Sequence, residues 1–195
     1  MSLAIDPAHT AVLSMDMQNG IVAAFAAGDP EFVPRAAGVL CRCRAAGLTV
    51  IHIQVGFRPG FPEISPRNLL FQAIRTSERH QQLFQGNNSA IHPALGPEPD
   101  DIAVTKHRVG AFAGTDLEMI LRARDIDTLA LFGIATSGVV LSTLLDACDS
   151  DYRLIVLRDC CADQDAEVDA CLFDKVLPRR GTVTTAAEFL EALPA

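Results

Sequence analysis

Short apolar runs alternate along this chain with stretches of helical periodicity, and that alternation restricts the fold more than any other feature. The runs are Thr10 to Met15, Thr49 to Val55, Asp101 to Thr105, Thr128 to Phe132, Tyr152 to Leu157 and Thr182 to Thr184. Each is short and almost continuously apolar or β-branched, as strands buried on both faces are. Between them the spacing predicts helices over Pro30 to Ala46, Asp116 to Arg124 (with Thr115 as N-cap), residues 139 to 149, Asp165 to Val176, and a last one ending near Leu193. Strands mostly separated by helices imply a parallel sheet covered on both faces, because a parallel crossover needs a long connection and a helix supplies it. Residues 56 to 100 are rich in Pro and Gly and read as irregular. A loop of that length in a compact domain is usually a lid or a binding segment.

The 195 residues fit one domain, expected to span residues 1 to 195. The net charge of −8 is spread without a basic run, which argues against nucleic acid or an anionic membrane as partner. No stretch is long and apolar enough to span a bilayer. The opening residues, Met1 to Asp6, have neither the basic nor the apolar part of a signal peptide, so a cytoplasmic location is expected. The six cysteines include no Cys-x-x-Cys; Cys41 and Cys43 point to different helix faces, and Cys160 and Cys161 are vicinal at a strand end. Reduced thiols packed as small hydrophobes account for them. His80, His92 and His107 stand at no ligand spacing, so no metal and no cofactor are expected.

The segment with the most chemistry is Gly133-Ile134-Ala135-Thr136-Ser137-Gly138-Val139-Val140. An apolar strand leads into it and a helical pattern leads out. That arrangement presents unpaired backbone N–H groups to whatever lies at the helix start, where an anion or a developing oxyanion can sit. Open α/β sheets place reactive groups at such turns. The first helical position holds Val139, which cannot act as a nucleophile.

Gly133, Thr136, Val140, Thr143, Asp146 and Ala147 together resemble, without gaps, a signature of the isochorismatase-like hydrolases, also called the cysteine hydrolase superfamily. Most members read Gly-x-x-Thr-x-x-Cys-Val-x-x-Thr-x-x-Asp-Ala there. The resemblance covers essentially the whole chain and implies an α/β, Rossmann-like, three-layer α/β/α fold with a six-stranded parallel sheet. It places the family's catalytic Cys at Val139, an oxyanion hole at the Gly138 and Val139 amides, and a non-proline cis peptide at Ile134–Ala135. True isochorismatases also lack that Cys and cleave a vinyl ether with no covalent intermediate. They usually carry an aromatic residue where Ala135 stands and Gly where Val139 stands, so isochorismate itself is not the expected substrate. The resemblance also implies a homo-oligomer.

Asp16 closes the first strand, and a carboxylate at the C-terminal end of a parallel strand faces the ligand crevice. On residues alone it could equally be a helix N-cap. Asp16 and Gln18 resemble the family's Asp-x-Gln, whose Asp is the general acid or base. Lys106, with Ala111, Phe112, Thr115 and Leu117 downstream, resembles the segment carrying the family's catalytic lysine. A Lys beside Asp16 is expected to lower the carboxyl pKa. Arg108 and Phe112 are candidate pocket walls, although Phe112 also suits the core. Ser137 suits helix capping better than nucleophilic attack.

The expected site therefore has Asp16 and Lys106 as catalytic residues and Gln18, Arg108, Phe112, Ala135, Ser137, Gly138 and Val139 as substrate contacts. Two functions fit a small-molecule partner. One is a hydrolase acting without a covalent Cys intermediate on an amide or ureide C–N bond or a vinyl ether C–O bond. The other is a binding protein that has kept the scaffold and lost the reaction.

Overall fold

The computed structural model describes residue 3 and residues 5 to 194. Six parallel strands form one sheet in the order β3-β2-β1-β4-β5-β6. They are β1 (Thr10–Met15), β2 (Thr49–Val55), β3 (Ile102–Lys106), β4 (Thr128–Ile134), β5 (Arg153–Ala162) and β6 (Thr182–Thr184). The helices are α1 (Asn19–Phe25), α2 (Phe32–Ala45), α3 (Leu69–Thr76), α4 (Glu78–Gln82), α5 (Leu117–Ala123), α6 (Leu141–Asp149), α7 (Ala166–Cys171) and α8 (Ala186–Glu191). This is the α/β architecture expected, with helices on both sides of the sheet. Every residue of β1 and β4, the two central strands, is buried. Burial on both faces is why these segments are unbroken apolar runs instead of alternating ones.

The strand order reverses direction between β1 and β4. β1 lies beside β2 on one side, with Met15 against Ile53, and beside β4 on the other, with Met15 against Gly133. Connections leave such a reversal point toward opposite faces, and a crevice opens at the carboxyl ends of the strands.

Several expected elements are corrected. The segment 56 to 100 is not irregular: it holds α3, α4 and two 3-10 turns over Gly86–Ser89 and Pro93–Leu95. Asn68 caps α3 by accepting the Phe71 N–H at 3.2 Å, and Ser77 caps α4 through the His80 N–H at 3.4 Å. β5 runs past Leu157 to Ala162, because a register shift after Leu131 lets Gly133 pair with Cys161. Cys160 and Cys161 therefore lie within the sheet. Helix α6 starts at Leu141, preceded by a wide turn over Thr136–Val140. Helix α5 starts at Leu117, and Thr115 still serves its first turn by accepting the Leu117 N–H at 3.3 Å. No helix of the described residues is long and apolar enough to cross a membrane.

Candidate active site

Asp16 directly follows β1. Its φ of +55° turns the chain sharply out of the sheet, a conformation Asp tolerates better than bulkier residues do. Its N–H donates to Ile53 O at 2.7 Å, which holds that turn against β2. Lys106 is the last residue of β3, on the far side of β2. The two side chains meet over the end of β2, with Lys106 Nζ 2.8 Å from Asp16 Oδ2. Both are almost completely buried, at 3 % and 9 % side-chain exposure. Lys106 Nζ also donates to Arg108 O at 3.1 Å. Asp16 Oδ1 is buried without a hydrogen-bond partner.

Burial raises the Asp16 pKa above the ordinary carboxyl value, and the charge and hydrogen bond of Lys106 only partly oppose it. The sequence expectation had the opposite sign. The lysine is where it was expected, but one carboxylate oxygen has no donor, and desolvation of the charged form outweighs the ion pair.

Gly133, at the end of β4, has a φ of +146°, and a Cβ there would stand 2.1 Å from Met15 O. Only glycine lets the two central strands approach so closely where the turn begins. The Ile134–Ala135 peptide bond is cis, as the family resemblance implies. In the following turn the Ser137 N–H donates to Asp163 Oδ2 at 2.8 Å, and the Gly138 N–H donates to Ala135 O at 3.0 Å. The Gly138 amide is thus engaged within the turn, whereas the resemblance makes it an oxyanion donor. Thr143 of α6 accepts the Ala111 N–H at 3.0 Å and ties the stretch after Lys106 to the helix that follows the turn.

These groups border a cavity of about 260 Å³. Asp16 and Lys106 lie on it with Arg108, Val109, Ile134, Ala135, Gly138 and Val139. Its remaining walls come mainly from Ile21 and Phe25 of α1, Leu70, Phe71 and Ile74 of α3, and Leu83 and Phe84 after α4. Of the residues singled out in the sequence, Asp16, Lys106, Arg108, Ala135, Gly138 and Val139 come together here. Three others lie outside this lining. Gln18 is buried, with its amide donating to Val55 O and Ser89 O and accepting the Val55 N–H, so it holds the chain ends around the site. Phe112 packs against Tyr152 with ring centroids 6.2 Å apart. Ser137 is exposed, with its backbone held by Asp163. The walls from α1 and α3 were missed. A usable signal existed in Leu70, Phe71 and Ile74, one apolar stripe of a helix behind an Asn cap.

The two thiols of β5 are poor nucleophiles. Burial pushes Cys160 up to about 12, and Cys161 is raised further by the same cause. Among the described residues no cluster of three or more His, Cys, Asp or Glu side chains could hold a metal ion.

The buried acid–amine pair borders a partly open cavity at the strand reversal point of a parallel sheet, the place where open α/β sheets bind ligands. The isochorismatase domain family matches residues 10–188, and this chain belongs to that family. It is 34 % identical over 195 residues to the isochorismatase family protein YecD of Escherichia coli O157:H7, covering 98 % of this chain and 100 % of that one. It is 36 % identical over 176 residues to the ureidoacrylate amidohydrolase RutB of Methylobacterium radiotolerans, covering 80 % of this chain and 68 % of that one. An isochorismatase family protein from Burkholderia thailandensis superposes with a TM-score of 0.81 at 32 % identity, covering 97 % of each chain.

Proposed function

We propose that this chain is a hydrolase of a small molecule that cleaves an amide or ureide C–N bond, or a vinyl ether C–O bond, without a covalent enzyme intermediate. The observation that carries the reading is the buried Asp16 carboxyl, paired through one oxygen with Lys106 and unpartnered at the other. A carboxyl whose pKa is raised by burial takes up a proton more readily than an ordinary one, which favours a role in general acid–base catalysis. The amidohydrolase named among the relatives supports C–N cleavage as the reaction type.

In C–N cleavage, Asp16 takes a proton from water as the water oxygen bonds to the carbonyl carbon. Asp16 then passes that proton to the leaving nitrogen, which departs with the C–N bonding pair. The products are an acid and an amine, and Asp16 returns to its starting state. In the vinyl ether case, neutral Asp16 protonates the terminal vinyl carbon, and water adds to the resulting oxocarbenium carbon and returns one of its protons to Asp16. The hemiketal then collapses to a ketone as its hydroxyl proton passes to the departing ether oxygen, which leaves as the alcohol. In both cases Lys106 holds the carboxyl in place and offsets the negative charge on it. Val139 leaves the substrate no nucleophilic side chain at the helix start, so water is the attacking group.

The test is hydrolysis of a panel of small amides, ureides and vinyl ethers by the purified protein and by Asp16→Asn. We expect turnover by the wild type and a loss of about 10²–10⁴-fold in the variant. Turnover unchanged in Asp16→Asn would overturn the assignment. Binding of a substrate with no turnover by the wild type would make the chain a binding protein, the reading that Val139 favours.

A further inference from the structure

The cavity walls narrow the substrate class, on the assumption that the proposed hydrolase reading holds. We propose that the substrate has a compact apolar body, ring-sized or branched, and one anionic group that Arg108 binds at the cavity mouth.

Three observations support this. The first is the chemistry of the walls. Phe25, Phe71, Ile74, Leu83 and Phe84 line the same cavity as Val139, and Phe57 packs against Phe71 and Phe84 with centroids 5.8 and 5.7 Å away. The charged or hydrogen-bonding side chains on the lining are Asp16, His80, Lys106 and Arg108, so a polar body such as a ureide leaves most of its N–H groups and carbonyls against apolar wall, at a cost in binding. An apolar body gains from the same walls. The second is charge. Asp16 is the only acidic residue on the cavity among the described residues, and its charge is offset by Lys106. Arg108 donates through one guanidinium nitrogen to His107 O at 2.5 Å and stands 6.0 Å over the Phe71 ring, with no carboxylate partner among the described residues. It is exposed, so it retains free donors at the entrance, in a protein whose net charge of −8 otherwise repels anions. The third is size. About 260 Å³ lies below the roughly 300–1,000 Å³ of sites for drug-sized ligands, which restricts the body to about one ring and a short substituent.

The test is calorimetric titration of the wild-type protein with benzoate, cyclohexanecarboxylate, benzamide and hydantoate. The last is a ureide monoanion of comparable size with a polar body. We expect the two apolar carboxylates to bind at least about tenfold more tightly than either benzamide or hydantoate. Arg108→Met should cost benzoate about tenfold and leave benzamide unchanged. Ile74→Asn, at a half-exposed helix position, should erase the preference for benzoate over hydantoate. Hydantoate binding as tightly as benzoate, Arg108→Met without effect on benzoate, or no binding by any probe would overturn the proposal. The hydrolase reading fails separately. Apolar carboxylates could bind while no amide, ureide or vinyl ether is turned over, or a ureide could be hydrolysed in an Asp16-dependent way while the apolar preference is absent.

Discussion

At the scale of single residues, the Asp16 carboxyl is pulled two ways. Burial drives it toward the neutral form and Lys106 toward the charged one, with burial the larger effect. A group balanced in this way responds to small changes around it, so a ligand that displaces or recruits the Lys106 ammonium would change whether Asp16 gives or takes a proton. For the buried cysteines Cys43, Cys160 and Cys161, burial is the dominant effect. Iodoacetamide should label the exposed Cys41 and Cys171 and spare Cys43 and Cys160, whose thiols burial pushes up to about 12, as well as Cys161. Peptide mass mapping with a parallel turnover assay checks this, and we expect full activity in the labelled protein. Inactivation that tracks modification of Cys160 or Cys161 would restore a thiol to the mechanism.

At the scale of elements, the join between β4 and its turn depends on one close approach. Gly133→Ala would place a methyl group 2.1 Å from the Met15 carbonyl oxygen, in backbone that L-residues rarely adopt. We expect a loss of about 3 kcal/mol in urea unfolding and a disturbed site, because the same shift moves Asp16, the residue after Met15. The elements also show what could be read in advance. The bounds of β1, β2 and β6 match the runs read from the sequence, with β1 set between His9 and Asp16 and β2 stopped by Gly56. The second half of β5 was hidden by Arg158 and Asp159, whose side chains interrupt the apolar pattern while the backbone continues in the sheet. Helix α1 gave no local sign, since Gln18 makes no capping bond and spends its amide on Val55 and Ser89. At the site, Asp16, Lys106 and the turn were legible because each sits at the end of a strand and matches a family motif; strand position alone left Asp16 equally readable as a helix cap. Phe25, Phe71 and Phe84 were not, because only the packing of α1, α3 and α4 over the sheet brings them there.

At the scale of the whole molecule, a buried charge cluster away from the cavity ties the sheet edge to helix α2. Arg44 of α2 bonds Asp101 at 2.6 Å and the carbonyls of Leu95 and Gly96, and His52 of β2 lies 3.1 Å from the same carboxylate. Burial would raise Asp101, but its bonds from Arg44, the Glu98 N–H and His52 lower it on balance. Burial lowers His52, against the pull of Asp101. Both groups bind protons less readily folded than unfolded, so the stability they contribute is complete above the unfolded values of about 6.5 for His and about 3.9 for Asp. It is lost as pH falls through the folded values. Thermal unfolding followed from pH 7 to pH 2 should show falling stability, first from His52 and then, below about pH 3.9, from Asp101. Asp101→Asn should cost about 2 kcal/mol at pH 7, roughly 4–8 °C, and the two curves should converge at low pH. Parallel curves would mean that Asp101 does not titrate on unfolding.

Val139 lies on the cavity wall with the Asp16–Lys106 pair and is itself 2 % exposed. On the proposed reading, the identity of the attacking group in this architecture turns on one buried side chain of the core. A lineage built on this scaffold could exchange a thiol for water, or reaction for simple retention of a ligand, by changing that position while strands, turn and ion pair stay in place. Overall similarity between two such chains is therefore a poor guide to whether they share a reaction, and position 139 is the first residue to compare.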